Sequence, residues 1–191
     1  MKALRTLLII VIIGFIVLSC EKDEPFYQVN TFGPYRVTKT FFSLLIGPKS
    51  KVINISSESV KLPTLFQPYP VSKIAMEALM RSIGQELSLK EVQLTFIRPG
   101  AIKTALLEHL HTLERAPKES LFKKEYDQFI EKAPKREGNP IEPSVAASKI
   151  YKISQKSRLK YVYRINNNTL LRIASVLPAG IVNCMMKRMV Q

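Results

Sequence analysis

The sequence predicts an α/β fold with a parallel sheet, and three stretches predict it. "KVINISS" (51–57) is short and rich in β-branched residues, the pattern of a buried strand. "VSKIAMEALMRSIGQEL" (71–87) carries Ile74, Ala75, Ala78, Leu79 and Ile83 as an apolar helical stripe. "VQLTFI" (92–97) reads as a second strand, stopped by Arg98, Pro99 and Gly100. Strand, helix, strand with one buried helical stripe is the βαβ unit of a parallel sheet. Ligands of such sheets bind beyond the carboxyl ends of the strands. Ser57 and Gly100 follow two such ends.

The elements follow in order. "MKALRTLLIIVIIGFIVLSC" opens with the positive Lys2 and Arg5, then an unbroken run from Leu7 to Leu18 without charge. A bilayer-crossing helix needs about 20 apolar residues, so this run is short for a span and suits a signal peptide. Its end, "VLSC", also looks like a lipoprotein processing site with Cys20 as the lipid carrier. Four readings stay open: an uncleaved anchor or interfacial helix, a cleaved or lipid-modified signal, a buried core helix, or an artefactual start. Charge asymmetry against the acidic Glu21–Glu24 flank keeps the basic end inside. The expectation is a signal peptide or membrane anchor at 1–20 and a membrane-associated protein.

From 24 to 45 the pattern is helical, with Phe26, Val29, Val37, Phe41 and Leu44 near three- and four-residue spacing; Gly47 and Pro48 end it. After the first strand, Pro63 and Pro68 stiffen a loop. Residues 101–143 are polar and mixed in charge; 122–143 read as a helix and then a loop, and 144–153 as another helix. The tail, 156–191, reads as basic with apolar helical patches. The expected division is therefore 1–20, a domain at 24–153, and a basic amphipathic segment at 154–191.

With 191 residues the chain can build one core. Its net charge of +14 allows a nucleic acid or an anionic membrane as partner. Lys156, Arg158, Lys160, Arg164 and Arg172 supply charge without a recognition motif, and Leu170, Leu171, Ile173 and Leu177 suit a lipid surface or substrate lid better. No nucleic-acid partner is expected. Two cysteines, Cys20 and Cys184, form no disulfide framework. There is no CxxC or HExxH, and His109 and His111 sit in a polar stretch as surface residues, so no metal site is expected.

The chemistry lies between the two strands. With Tyr69 in the first turn of the helix, Lys73 stands four residues on, over the same face. An ammonium beside a phenol favours the phenolate, so the Tyr69 pKa is expected to fall from about 10. Such a phenol can exchange a proton near neutral pH. Ser57 could hold a carbonyl or hydroxyl oxygen, and Asn54, in the strand, is expected to be buried. Hydride transfer at carbon is the reaction this arrangement would serve, because the oxygen changes protonation as the hydride moves.

In order and spacing, "VNTFGPYRVT" (29–38), "KVINISS" (51–57), "YPVSK" (69–73) and "RPGAIKT" (98–104) resemble the second half of the short-chain dehydrogenase/reductase family, over 24 to about 104. The end of the chain, 177–190, more loosely resembles members acting on retinoids or steroids. The resemblance implies a Rossmann-like sheet and a nicotinamide cofactor, NAD or NADP. Tyr69 would be the acid or base, and Lys73 would tune it and bond the nicotinamide ribose. Ser57 would orient the substrate oxygen, and Asn30 would hold a water linked to Lys73. Pro99 and Gly100 would shape the backbone beside the nicotinamide, and Thr104 would meet its carboxamide or the diphosphate. The substrate would be a lipid-like alcohol or carbonyl compound.

One departure is clear. The sequence contains no GxxxGxG or GxGxxG turn to receive a diphosphate. The expectation is thus an N-terminally truncated domain preceded by an apolar helix, its first strand an exposed edge. A homo-oligomer or a complementing subunit would be the protein partner. The alternative is a catalytically inactive, membrane-associated relative or partner-binding subunit.

Overall fold

A computed structural model describes residues 27–47, 49–62, 65, 68–105, 107, 108, 118–132 and 138–190. The apolar stretch 1–20, with Cys20, lies outside them, as do His109 and His111. Among the described residues no helix is long and apolar enough to cross a membrane.

The β-branched stretch forms β1 (Lys51–Ile55), and the next forms β2 (Gln93–Pro99). They pair in parallel with Ile53 opposite Thr95 and Ile55 opposite Ile97. Between them runs α2 (Pro68–Ser88), preceded in the chain by α1 (Gly33–Thr40). Pro68 and Pro70 stand in the first turn of α2, where the missing N–H costs nothing. The βαβ unit read from the sequence is therefore present, with Tyr69 in the first helical turn.

The buried side of α2 differs from the expected stripe. Pro70, Ser72, Met76, Glu77, Met80 and Leu87 are buried, whereas Ala78 is exposed and Ile74, Ala75, Leu79 and Ile83 are half-buried. Apolar residues occur all round this helix, so spacing alone did not fix which side meets the sheet. Met76 and Met80 pack on Phe96, with Tyr35 from α1 and Val52, Ile83, Leu94 and Val162 around them. Alternation along β2 turns Ile97 to the opposite face. There it meets Ile153 and Ile165, with Ile53, Ile141, Ile150, Leu159 and Tyr163 around them.

The long polar segment contains α3 (Lys123–Lys132) and leads to α4 (Pro143–Ser154), which covers that second face. The tail was expected to hold helical patches. It holds two, α5 (Thr169–Ala174) and α6 (Ala179–Met189), and ahead of them it adds an unexpected strand, β3 (Val162–Ile165), parallel to β2. The strand is short, and Arg164 within it masks the apolar pattern. The order is β1-β2-β3, so β1 is an edge among the described residues, as expected.

The helix expected over 24–45 is divided. A π-helical turn, Tyr27–Phe32, precedes α1, and a 3-10 turn, Phe42–Leu44, follows it. Pro34 at the start of α1 supports the change of winding there.

Candidate active site

The strand ends and the first turns of α2 meet at one place. Strand β1 stops at Ile55, and Ser57 caps the 3-10 turn Glu58–Lys61 by accepting from the Ser59 amide at 3.1 Å. The Ser59 hydroxyl also donates to Ser57 Oγ at 2.9 Å. With those bonds accepted, the Ser57 proton is free to be donated toward the Tyr69 phenol, whose pKa the serine lowers. The Lys73 amine lies 5.8 Å from the Tyr69 ring centroid and donates to the Ile55 carbonyl at 3.1 Å. Tyr69, Ser57 and Lys73 are thus brought together.

The acidity of the phenol differs from expectation. Burial pushes the Tyr69 pKa above 10.0, and the Ser57 bond only partly opposes it. Burial also pushes the Lys73 amine below 10.5. The expected fall at Tyr69 does not occur because desolvation of the phenolate dominates and the amine is bonded to a backbone carbonyl.

Asn30 sits in the π-helical turn, a winding often found at functional sites. Its Nδ2 donates to Ser72 Oγ at 3.2 Å, while Ser72 Oγ donates to the Tyr69 carbonyl at 2.7 Å. Thr31 Oγ1 donates to the Ser72 carbonyl at 2.8 Å, fastening the same turn to α2. Asn30 therefore reaches the backbone of Tyr69 through Ser72, the serine of "YPVSK".

Pro99 ends β2, and the Gly100 amide donates to the Ile165 carbonyl at 2.8 Å. A Cβ on Gly100 would lie 2.0 Å from the Asn166 carbonyl oxygen. This glycine is thus needed for the crossing of β2 with the end of β3. Thr104 is exposed and donates to the Ile102 carbonyl at 3.3 Å, with Lys103 paired to Glu142 beside it.

Sequence reasoning missed a buried charge network beneath these residues. Glu77 on α2 is 5% exposed and pairs with Arg98 at the end of β2. Ser56 donates to the same carboxylate. Burial raises the Glu77 pKa, but the bonds from Arg98 and Ser56 and the charges of Arg98 and Arg81 outweigh it and hold it below 4.5. A charged residue inside the apolar strand "LTFIRP" was the available signal. Asn54 is buried, as expected, and among the described residues its Nδ2 has no hydrogen-bond partner. Among the described residues no group of His, Cys, Asp and Glu could hold a metal ion.

A phenol, an amine and a serine hydroxyl beyond parallel strands fit the reacting end of a nicotinamide cofactor and an alcohol or carbonyl carbon. Tyr69, Lys73, Pro99 and Gly100 would face that cofactor. The sequence supplies no glycine-rich diphosphate turn.

Known proteins are similar to this chain in sequence and fold. Estradiol 17-beta-dehydrogenase 2 of Rattus norvegicus is 32% identical over 103 residues, covering 52% of this chain and 27% of that protein. Retinol dehydrogenase 5 of Mus musculus is 32% identical over 97 residues, covering 51% and 30%. Short-chain dehydrogenase PC-15 of Penicillium crustosum is 32% identical over 109 residues, covering 56% and 39%. The chain spans well under half the length of these relatives. A 3-alpha-hydroxysteroid dehydrogenase from Pseudomonas sp. B-0831, solved with NADH, shares the fold with a TM-score of 0.61 at 18% identity, over 80% of this chain and 68% of that one. The short chain dehydrogenase family profile matches residues 15–114, more than half of the sequence, a range that includes Asn30, Ser57, Tyr69, Lys73, Glu77, Pro99, Gly100 and Thr104. By that match, the chain belongs to the short-chain dehydrogenase family.

Proposed function

We propose that this chain carries the proton-handling half of an oxidoreductase that interconverts a hydroxyl and a carbonyl on a lipid-like substrate. The observation that carries the reading is the Lys73 amine 5.8 Å from the Tyr69 ring, with Ser57 favouring the ionised form of the same phenol. A bound NAD or NADP would supply or accept the hydride. Tyr69, kept protonated by burial, gives its proton to the substrate oxygen during reduction. In the reverse direction the phenolate takes it back. Ser57 holds the substrate oxygen against Tyr69, and Lys73 turns from the Ile55 carbonyl toward the phenolate and the ribose. Asn30 and Ser72 hold the first turn of α2 in place while the charge changes.

A lipid-like substrate is supported by two features. The curated relatives include enzymes named for estradiol and retinol. The C-terminal helices also expose Ile173, Ile181 and Met185, beside Val176, as apolar surface fit for such a molecule. The reading is tested on the purified chain with NADH or NADPH and steroid or retinoid carbonyl compounds. Turnover that Tyr69→Phe lowers by about 10²- to 10⁴-fold supports it. Absence of cofactor binding at millimolar NADH and NADPH overturns it. That result would favour a non-catalytic, partner-binding subunit.

A further inference from the structure

Tyr69, Lys73 and Glu77 follow one another at four-residue steps on α2 and share one side of it. The first two belong to the site. The third faces inward and takes partners from both strands. Glu77 Oε1 accepts from Ser56 Oγ at 2.5 Å and from Arg98 Nε at 2.8 Å; Oε2 pairs with Arg98 Nη2 at 2.5 Å. Ser56 immediately precedes Ser57, and Arg98 immediately precedes Pro99 and Gly100. One carboxylate therefore joins the end of β1, the end of β2 and the helix bearing the phenol. Apolar side chains could fill this space without desolvating ions, so bulk packing does not call for a charge here. What the ion pair adds is direction: its bidentate geometry orients the end of β2 on α2, and the Ser56 bond ties the end of β1 to the same carboxylate.

We propose that Glu77 is a positioning residue, setting Ser57 against Tyr69 by clamping the residue before each strand-end site position to α2. The assignment deepens the proposed activity and rests on that reading only for its consequence in turnover. Glu77 touches neither substrate nor cofactor. It acts through Ser56 on the Ser57–Tyr69 bond, and through Arg98 on the backbone at Pro99.

The test reads that bond directly. The chain is made with tyrosine labelled with carbon-13 at Cζ, and the Tyr69 signal is identified by its loss in Tyr69→Phe. In Glu77→Gln the ionisation constant of Tyr69 should weaken by about three- to tenfold, because a Ser57 hydrogen bond that favours the phenolate is loosened. Tyr126, also raised by burial but on α3, should not move. Ser56→Ala removes one arm and leaves Arg98 paired, so it should shift Tyr69 the same way by less. If Glu77→Gln does not fold, Ser56→Ala decides. An unmoved Tyr69 signal and midpoint in the folded variant, whatever its loss of stability, overturns the proposal. Tyr69 shifts in a chain without nicotinamide-dependent turnover keep Glu77 in this role and remove the proposed activity instead.

Discussion

At the scale of single residues, burial and hydrogen bonding pull the Tyr69 phenol in opposite directions, and burial is stronger. A raised pKa means the folded chain holds this proton more tightly than the unfolded one. The resulting stability is present below the unfolded value of 10.0 and is lost as pH rises through the folded value. Direct titration of the ligand-free chain should therefore place Tyr69 above 10.0, and Ser57→Ala should move it higher still. Glu77 has the opposite sign. Its depressed pKa contributes stability above 4.5, lost as pH falls through the folded value. Glu77→Gln should flatten that acid limb in urea titrations. It should also cost about 3–5 kcal/mol at neutral pH, since it leaves Arg98 charged and buried without its partner. Tyr69, Lys73 and Ser57 were legible because their grouping depends on helix spacing and a strand end, both local properties. Their acidity was not, because desolvation is set by side chains distant in sequence.

At the scale of elements, the ends of β2 and β3 lie close together. Gly100 has no room for a methyl group, and Asn166 beyond it has a φ of 58°, a conformation asparagine tolerates well. Asn166 also donates to the carbonyls of Ala101 at 2.8 Å and Asn139 at 2.9 Å. Gly100→Ala should push the strand ends apart and destabilise the chain by about 1–3 kcal/mol, measured by urea unfolding. Met80→Ala, beneath Phe96, should cost about 2–5 kcal/mol through the cavity it leaves. Strands β1 and β2 were legible from β-branched runs bounded by turn residues. Strand β3 was not, because four residues containing an arginine give too little pattern. The register of α2 on the sheet was obscured by apolar residues on several sides of the helix.

At the scale of the whole molecule, the layers are unequal. Ser50 and Ser56 bond across to β2, so the backbone groups of Lys51, Ile53 and Ile55 point the other way by alternation. Among the described residues that side carries the Lys73 bond to Ile55 and no further strand. Ile55 is 44% exposed beside it. An open strand with an apolar residue invites a second strand. The chain should therefore self-associate with rising concentration in analytical ultracentrifugation, and Ile55→Lys should weaken that association. The opposite flank of β2 is closed by β3, whose residues are made long after the phenol, the amine and the serine. During synthesis the ribosome thus delivers Ser57, Tyr69 and Lys73 before it delivers the strand that flanks β2. That second seam of the sheet cannot close until Ile165 has emerged.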